Sequence, residues 1–300
     1  MATFPFSVSG ADLEQWRKAA LAGAIAAQVE PSELDWFLQA VSNLDRLTLK
    51  LNLVAQQLSV GLRMPFGVLQ SKWQQRLQDR VPLQYLVGLA PWRHFELIVT
   101  PDVLIPRPET ECVIDYVQGA IAQNPTLAKG DWVDLGTGSG AIAIGLADLL
   151  PQAKIHAVDL SPAALAIAQR NAERLHLHDR IQFYQGSWFE PLQGLQGQLK
   201  GMVSNPPYIP SQEVLALQPE VVGHEPHLAL DGGEDGLDAI QHLIQTAPDY
   251  LQSGGIWLVE MMAGQGEAVV EALAQQGDYC KIALLKDLEG IDRFAIAQRR

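Results

Sequence analysis

The segment SNPPYIP, residues 204–210, combines an amide, adjacent prolines and an aromatic ring. A planar amide or aromatic amine is a poor nucleophile because its nitrogen lone pair is delocalised, and a site that accepts both N–H hydrogens orients that lone pair. The Asn205 side-chain oxygen and the Pro206 carbonyl are candidate acceptors, and Tyr208 offers a ring face. Proline fixes φ at about −65° and restrains the residue before it, so Pro206 and Pro207 predict a stiff turn that presents acceptors. An ordinary proline-rich turn is the alternative interpretation.

A second candidate site is the segment VDLGTGSGAIAI, which places Gly136, Gly138 and Gly140 between a predicted strand and a predicted helix. Glycines in such a turn let the backbone approach a nucleotide-like cofactor. Asp159 follows about 20 residues later, where an acid accepts hydrogen bonds from ribose hydroxyls, so the pattern also fits NAD. Asp134, just before the first glycine, and the alternate spacing of the glycines favour S-adenosylmethionine.

Simpler interpretations of these residues remain open. The glycines fit a tight turn without a ligand, and Asp159 fits a helix cap, although Ser161 already supplies one. Trp188 follows the third predicted strand, where its ring is equally suited to flank an adenine or to fill the core.

A parallel sheet is needed to bring these residues to one edge. After residue 130, short apolar runs alternate with amphipathic segments: DWVDLG, AIAIGLADLL, KIHAVDL, PAALAIAQRNAERL and IQFYQG. This alternation predicts a doubly wound α/β fold with its site at the carboxyl ends of the strands. Further strands are predicted at GMVSN, GGIWLVEM, CKIALL and RFAIAQ, and further helices at GLDAIQHLIQTAPDYL and GQGEAVVEALAQQ.

The amino-terminal part has a different pattern. Ser9 and Asp12 resemble a capping box, Pro31 opens a second helix, and FGVLQSKWQQRLQD predicts a third, so residues 9 to about 80 predict a small all-helical domain. The segment WRHFELIVTPDVLIP predicts a β-hairpin whose strands are separated by TPD. We expect a helical domain over residues 1–85, a linking hairpin over 86–107 and a catalytic domain over 108–300.

Composition and charge exclude several classes of protein. The chain is 48% apolar and 18% charged, as in a folded globular protein. Cys112 and Cys280 lack disulfide or zinc spacing, and neither a leader nor a membrane span is recognisable, so we expect a cytoplasmic protein without a metal. Residues 1–90 carry a net charge of +1 and residues 91–300 carry −14. The acidic part disfavours nucleic acid as a substrate, because phosphate binding needs a basic face.

These motifs, together with PLQYLVGLAPWRHFELIVTPDVLIPRPETE at residues 82–111, resemble the HemK/PrmC family of protein glutamine N5-methyltransferases, which modify peptide-chain release factors. The resemblance extends from about residue 82 to the end and includes LIPRPETE, EPHLALDGGEDGL and DLEGIDRFAIA. It implies a class I, Rossmann-like methyltransferase fold with a seven-stranded sheet behind a helical domain that recognises the substrate. Trp92 stands where the family often has phenylalanine.

The resemblance also implies the roles of individual residues. It implies S-adenosylmethionine as the cofactor, contacted by Gly136, Thr137, Gly138, Ser139, Gly140, Asp159, Trp188 and Asn205. It assigns the substrate glutamine to Asn205, Pro206, Pro207 and Tyr208, with Asn205, Pro206 and Tyr208 catalytic. Arg107 and Glu109 of LIPRPETE are candidates either for polar contacts near the methionine moiety or for a structural link. The EPHLALDGGEDG loop is predicted either to wall the substrate cleft or to be solvated.

The function implied is methyl transfer to the glutamine of the Gly-Gly-Gln motif in class 1 release factors, by a monomer without direct contact to nucleic acid or membrane. Three alternatives remain: a glutamine methyltransferase acting on a large-subunit ribosomal protein, an adenine-N6 DNA methyltransferase, and a catalytically silent assembly factor that binds the cofactor. The LIPRPETE motif and the acidic catalytic part argue against DNA, and the intact NPPY argues against a silent protein.

Overall fold

The computed structural model describes residues 3–300, which divide into two compact units. The first contains the chain up to Gly88 together with Pro219–His224, and the second contains Leu89–Gln218 and Glu225–Arg300. Within residues 3–300, no helix combines the length and the apolar character that crossing a membrane requires.

The described chain is built from short and medium-length elements. The helices are α1 (Gly10–Ala26), α2 (Ser32–Val41), α3 (Arg46–Lys50), α4 (Phe66–Gln78), α5 (Leu83–Val87), α6 (Cys112–Gln123), α7 (Ala141–Leu149), α8 (Pro162–Arg174), α9 (Ser211–Val214), α10 (Pro219–His224), α11 (Asp238–Tyr250) and α12 (Gly266–Gln276). The strands are β1 (Phe6–Val8), β2 (Val60–Leu62), β3 (Leu89–Trp92), β4 (Phe95–Ile98), β5 (Lys129–Leu135), β6 (Gln152–Asp159), β7 (Ile181–Gln185), β8 (Leu199–Ser204), β9 (Leu251–Glu260), β10 (Tyr279–Lys286) and β11 (Asp292–Arg299).

The first unit contains α1–α5 and α10, and its core, built mainly from α1, α2, α4 and α5, includes Phe37 and Trp73, whose ring centroids lie 5.8 Å apart. The predicted cap of α1 is confirmed, because Ser9 Oγ accepts a hydrogen bond from the Asp12 backbone N–H at 3.1 Å. The prediction of an all-helical domain is wrong, because β1 and β2 form an antiparallel pair. Strands of three residues are too short for an alternating pattern to be recognised in the sequence.

The core of the second unit is a seven-stranded sheet in the order β10-β11-β9-β8-β5-β6-β7. Neighbouring strands from β9 to β7 are parallel, and β11 runs antiparallel to both of its neighbours. Trp132 and Val133, adjacent in β5, belong to hydrophobic clusters on opposite faces, covered by α6 and α7 on one side and by α11 and α12 on the other. The predicted doubly wound α/β fold and its strands and helices are confirmed.

The register of the four central strands positions the site. Leu135 of β5 pairs with Val158 of β6 and with Ser204 of β8, and Ser204 pairs in turn with Val259 of β9. The residues that follow this row are Gly136, Asp159, Asn205 and Glu260. Because parallel strands end at one edge of the sheet, these residues emerge side by side.

The β-hairpin differs from the sequence prediction. Strands β3 and β4 pair around Arg93 and His94, with Trp92 opposite Phe95. Arg93 adopts φ of 52°, a left-handed conformation in which arginine is uncommon, so the sequence gave little sign of this turn. The TPD segment follows the hairpin, where Thr100 Oγ1 donates a 2.8 Å hydrogen bond to Asp102 Oδ2, and the VLIP segment after it is not a strand.

Candidate active site

A cavity of about 230 Å³ lies at the carboxyl edge of the sheet in the second unit. It is lined by most of the predicted cofactor residues, namely Gly136, Thr137, Gly138, Ser139, Asp159, Trp188 and Asn205. Pro207 and Arg107 also line it. Gly140, Pro206, Tyr208 and Glu109 do not appear among the described residues of its wall.

The glycine loop is anchored to the neighbouring strand, because the backbone N–H groups of Gly136 and Thr137 both donate to the Val158 carbonyl at 2.9 Å. Gly138 has φ of +54°, and a Cβ built on it meets no atom within 4 Å, so its backbone faces open space in the cavity wall. Gly140 serves another purpose. A Cβ there would lie 3.0 Å from Ala168 Cβ, so this glycine allows the close packing of the loop on α8.

Asp159 is held by two backbone groups at the end of β6. Its Oδ2 accepts from the Gly138 N–H at 2.8 Å, and its Oδ1 accepts from the Ser161 N–H at 2.9 Å. Burial raises the pKa of Asp159 above its usual value. Each carboxylate oxygen accommodates more than one hydrogen bond, so Asp159 retains acceptor capacity toward the cavity. The cap of α8 is Ser161, whose Oγ accepts from the Ala164 N–H at 3.2 Å.

Beneath the glycine loop lies Asp134, which is completely buried. Its Oδ2 accepts from Thr137 Oγ1 at 2.6 Å and from the Ala143 N–H at 3.0 Å. Burial raises the pKa of Asp134 to about 7, against the lowering effect of these two hydrogen bonds. The carboxyl thereby ties the loop to the start of α7 and engages the Thr137 hydroxyl.

Trp188 contributes an aromatic surface beside the glycine loop. Its backbone is left-handed with φ of 47°, and its side chain is half-buried against the hydrophobic cluster that contains Phe189. Its ring lies 3.5 Å from the position that a Cβ on Gly136 would occupy. The ring therefore both packs on the core and lines the cavity, and its contact with an adenine stays a prediction.

The NPPY turn presents its residues in different directions. Asn205 lines the cavity, and its Nδ2 donates to Thr110 Oγ1 at 3.3 Å. Pro206 is buried. The ring of Tyr208 packs against the hydrophobic cluster behind the turn, and its hydroxyl donates to Glu260 Oε1 at 3.1 Å. The structure therefore brings Asn205 and Pro207 to the cavity wall, whereas Tyr208 contacts the core.

The sequence predicted the acidic loop after the turn as either a cleft wall or a solvated segment; Pro226, Leu228 and Ala229 of this loop line the cavity. The loop also holds the turn in place. The Ile209 N–H donates to the Leu230 carbonyl at 3.0 Å, and the Gly232 N–H donates to the Ile209 carbonyl at 2.9 Å. A Cβ on Gly236 would lie 2.3 Å from the Tyr208 carbonyl oxygen, so glycine is needed for this close approach. Gln265, which is buried, donates to that same carbonyl at 2.9 Å.

Arg107 lines the cavity and is paired with Glu225. Arg107 Nη2 lies 2.8 Å from both carboxylate oxygens of Glu225, whose side chain is 2% exposed. Burial raises the pKa of Glu225, although the arginine lowers it. The pair joins two stretches that both contribute to the cavity, one containing Pro106 and the other Pro226. Pairing with Glu225 was not foreseen from the sequence.

Glu260, behind the NPPY turn, is another buried residue that the sequence interpretation missed. It ends β9 in the row described above, its side chain is completely buried, and it accepts the Tyr208 hydrogen bond. Burial raises the pKa of Glu260 to about 7. Burial also raises the pKa of Tyr208 well above its usual value, with the carboxyl adding to the effect. In the sequence, a glutamate directly after the apolar run GGIWLV was the available signal for this residue.

Among residues 3–300, no group of three or more His, Cys, Asp or Glu side chains is placed to hold a metal ion. What the cavity contains instead is a glycine loop, an acid with remaining acceptor capacity, an aromatic ring and an amide. These are the components of a site for a nucleoside-containing ligand next to a group that binds a polar substrate atom.

Comparisons with known proteins agree with this chemistry. Residues 120–234 match the family model described as Methyltransferase small domain. The chain is 52% identical over 292 residues to the release factor glutamine methyltransferase of Synechocystis sp., covering 97% of each chain. It is 50% identical to the protein of the same name from Thermosynechococcus vestitus, covering 97% of this chain and 99% of that one.

The structural comparison concerns the fold alone. The solved catalytic domain of hMettl16, in complex with the MAT2A 3′UTR hairpin 6, superposes with a TM-score of 0.56 at 15% identity, over 87% of this chain and 88% of that one. The fold is thus a methyltransferase fold, and the sequence likeness is far more specific. The chain belongs to the release factor glutamine methyltransferase family, HemK/PrmC.

Proposed function

We propose that this protein transfers a methyl group from S-adenosylmethionine to the side-chain amide nitrogen, N5, of the glutamine in the Gly-Gly-Gln motif of class 1 release factors. The observation that carries the proposal is the register row, the row of paired residues at the carboxyl ends of β5, β6, β8 and β9. It sets Asn205 next to Gly136 and Asp159 in the wall of one cavity. An amide acceptor beside a nucleoside-type site is what methylation of an NH2 group requires. The near full-length likeness to release factor glutamine methyltransferases supports the choice of substrate.

The residues of the cavity fit the cofactor. When bound, S-adenosylmethionine supplies an electrophilic methyl group. Asp159 accepts the ribose hydroxyls with its remaining lone pairs, and the ring of Trp188 flanks the adenine. The open face at Gly138 lets the backbone approach the ligand. The chemistry of these groups supports S-adenosylmethionine over NAD, because the loop gives Gly140 to helix packing and leaves one open glycine rather than a pyrophosphate cradle.

Asn205 orients the substrate amide. Its Oδ1 accepts one hydrogen of the glutamine NH2 and the Pro206 carbonyl accepts the other, which directs the nitrogen lone pair at the methyl group. Tyr208 contributes by fixing the turn through its partly buried ring, which packs against the core, and through its hydroxyl. The alkylated amide is strongly acidic, so it loses its proton to Asn205 Oδ1, the Pro206 carbonyl or water without a strong base.

We assign recognition of the release factor to the helical domain, residues 1–85, of a monomeric cytoplasmic enzyme. The support is that the likeness to release factor glutamine methyltransferases covers 97% of the chain and therefore includes this domain. Docking through a protein surface also fits a catalytic part with a net charge of −14, which does not favour nucleic acid.

Radiolabelled methyl transfer to purified release factors tests the proposal, with the large-subunit ribosomal protein and duplex DNA as parallel acceptors. We expect one methyl group on the glutamine of the tripeptide, located by mass spectrometry. A release factor with Gln→Asn at that position should not be methylated, because the shorter side chain misplaces the nitrogen and about 1 Å of misplacement costs on the order of 10²-fold in rate. Methylation of a different residue type, or of DNA in preference to the protein, would contradict it.

A further inference from the structure

The turn of the β3–β4 hairpin lies at the edge of the cavity. Trp92 belongs to the hydrophobic core of the second unit and also lines the cavity, whereas Arg93 lies outside the described cavity wall. Arg93 has a left-handed backbone with φ of 52°, which arginine rarely adopts. Such a conformation persists only where neighbouring contacts determine it, and it is frequent at functional sites. The contacts of these two residues therefore indicate what the hairpin does.

Both hairpin residues bind residues 107–111, which we call the RPETE turn. The Trp92 indole N–H donates to the Arg107 carbonyl at 3.2 Å. The Arg93 backbone N–H donates to Glu111 Oε1 at 2.8 Å, and Arg93 Nη1 donates to the Glu111 carbonyl at 3.0 Å. Three hydrogen bonds from two adjacent residues thus hold the first and the last residue of the RPETE turn.

The sequence of the RPETE turn explains why it is held from outside. Pro106 and Pro108 flank Arg107 and have no N–H, so this stretch lacks the donors of a regular strand or helix. Inside the turn, the Glu111 N–H donates to the Pro108 carbonyl at 3.1 Å. The Trp92 indole supplies a donor to the Arg107 carbonyl, which lies between the two prolines.

Thr110 is the residue of the RPETE turn that contacts the proposed amide acceptor. It is buried, it lines the cavity, and its Oγ1 accepts a hydrogen bond from Asn205 Nδ2 at 3.3 Å. The Asn205 amide has a donor end and an acceptor end, and its NH2 group facing the substrate NH2 would oppose it donor to donor. The hydrogen bond to Thr110 engages the NH2 end and leaves Asn205 Oδ1 for the substrate.

We propose that Trp92 and Arg93 are positioning residues for methyl transfer, which hold the RPETE turn so that Thr110 keeps the Asn205 oxygen directed at the substrate. This inference rests on the proposed function of Asn205 as the acceptor of the substrate amide. Misplacing such a group by about 1 Å costs on the order of 10²-fold in rate. Phenylalanine, which the family often has at position 92, carries no N–H, so the indole contact is a feature of this chain.

Single-turnover methyl transfer at saturating cofactor tests the inference with variants at both ends of the RPETE turn. Glu111→Ala removes the acceptor of the Arg93 N–H, and Trp92→Phe removes the indole donor but keeps an aromatic ring. Each should lose about tenfold in rate, because the turn is then held at one end only. Glu111→Gln keeps a side-chain oxygen for the Arg93 N–H and should stay within about threefold of wild type.

A double-mutant cycle shows whether the hairpin acts through Thr110. Thr110→Val removes the acceptor of the Asn205 NH2 group and should lose about tenfold or more in rate, toward the about 10²-fold cost of losing one preorganised group. In that background, Glu111→Ala should cost less than about threefold more, because both changes act on the same contact. Calorimetry should give Glu111→Ala an affinity for S-adenosylhomocysteine within about threefold of wild type, since Glu111 lies outside the described cavity wall.

Trp132→Phe is the matched control for Trp92→Phe. Both tryptophans are buried in the same hydrophobic cluster, and Trp132 Nε1 donates to the Leu127 carbonyl at 2.9 Å. Trp132 lies outside the described cavity wall. Trp132→Phe should lower the stability measured by urea unfolding, as Trp92→Phe does, but should keep the single-turnover rate within about threefold of wild type.

Several outcomes would overturn the inference. These are additive losses in the double variant, a wild-type rate in Glu111→Ala, equal rate losses in Trp92→Phe and Trp132→Phe, and a loss of cofactor affinity in Glu111→Ala as large as its loss of rate. Should Trp92→Phe fail to fold by circular dichroism, the Glu111 variants and the cycle still decide it.

A measurement that needs no turnover separates this inference from the proposed function. If wild type transfers no methyl group to glutamine, the proposed function fails, whereas the nitrogen NMR signal of the Asn205 side-chain amide still reports its contact with Thr110. That signal should shift in Glu111→Ala and stay in place in Trp132→Phe. An unchanged signal in Glu111→Ala would show that the hairpin does not position the amide.

Discussion

The backbone N–H of Gly138 lies 2.8 Å from Asp159 Oδ2, so the glycine loop and the acid at the end of the next strand form one hydrogen-bonded unit. Anything that removes the carboxylate therefore removes both the proposed ribose acceptor and a brace of the loop. Asp159 is consequently the most direct test of the cofactor site.

We expect Asp159→Ala to weaken binding of S-adenosylhomocysteine by about tenfold or more, because charge-assisted hydrogen bonds are worth about 1.5–3 kcal/mol each. Isothermal titration calorimetry measures this. Asp148→Ala is a suitable control, since Asp148 is half exposed and its Oδ2 lies 3.5 Å from His94 Nε2, away from the glycine loop. Unchanged affinity of Asp159→Ala, or tight binding of NAD by wild type, would refute the assignment.

Asn205→Ala should reduce turnover by about 10²- to 10³-fold, the typical effect of losing a preorganised hydrogen-bonding group, while the fold remains native. Asn205→Asp is the stricter variant because it retains an acceptor oxygen and adds a charge. Rapid-quench methyl transfer gives the rates and circular dichroism the fold. A near wild-type rate for Asn205→Ala would show that another group orients the amide.

Removing Arg107 alone should lower the stability of the protein more than replacing both Arg107 and Glu225 by apolar side chains. Arg107→Met leaves a buried carboxylate unpaired and should destabilise the protein by about 3–5 kcal/mol, whereas Arg107→Met combined with Glu225→Leu should recover most of that loss. Urea unfolding of the single and double variants measures the difference. If the double variant is no more stable than Arg107→Met, the buried charge is not the source of the cost.

His156 predicts a pH dependence of stability away from the cavity. Its ring is buried between the Tyr184 hydroxyl and Asp131 Oδ1, each at 2.9 Å, and burial lowers the pKa of His156 below the usual 6.5 despite the opposing effect of Asp131. The unfolded state then binds the proton more tightly than the folded state. The stability that neutral His156 contributes is present above about pH 6.5 and is lost as pH falls through the window below it.

Urea unfolding of wild type and His156→Gln between pH 8 and pH 5 checks this expectation. The carboxyls of Asp134 and Glu260, whose pKa values burial raises to about 7, give the opposite slope, but they are common to both proteins and cancel in the difference. The advantage of wild type over His156→Gln should therefore shrink toward acid pH. A constant difference across the range would contradict a titration of this residue.

The parts of the site that follow directly from strand ends were predictable from the sequence. Gly136, Asp159 and Asn205 each come directly after an apolar run, and a parallel sheet places such residues together. The contacts of Thr110 and Glu225 were not predictable, because they depend on which loops meet in three dimensions. Tyr208 illustrates the limit: the sequence did not show that its ring packs against the core, and its role in holding the substrate stays a prediction.

The local backbone conformation also limited how much of the fold could be predicted from the sequence. The turn of the β3–β4 hairpin uses a left-handed arginine, Arg93, rather than the usual turn residues, so the sequence signal at TPD indicated the wrong place. The short β1–β2 pair in the first unit was missed because Phe6–Val8 is too brief to show a period. In both cases tertiary contacts decided the structure.

The register row restricts where the chain tolerates a change in length. Adding or deleting one residue inside β5, β6, β8 or β9 would move the residue after that strand by about 3.3 Å and turn its side chain to the other face of the sheet. Gly136, Asp159, Asn205 and Glu260 would each be displaced by such a change in their own strand. Insertions for engineering, such as a tag or a reporter peptide, therefore belong in the connections that enter these strands at the opposite edge of the sheet, for example around Gly194, where a side chain meets no neighbouring atom within 4 Å.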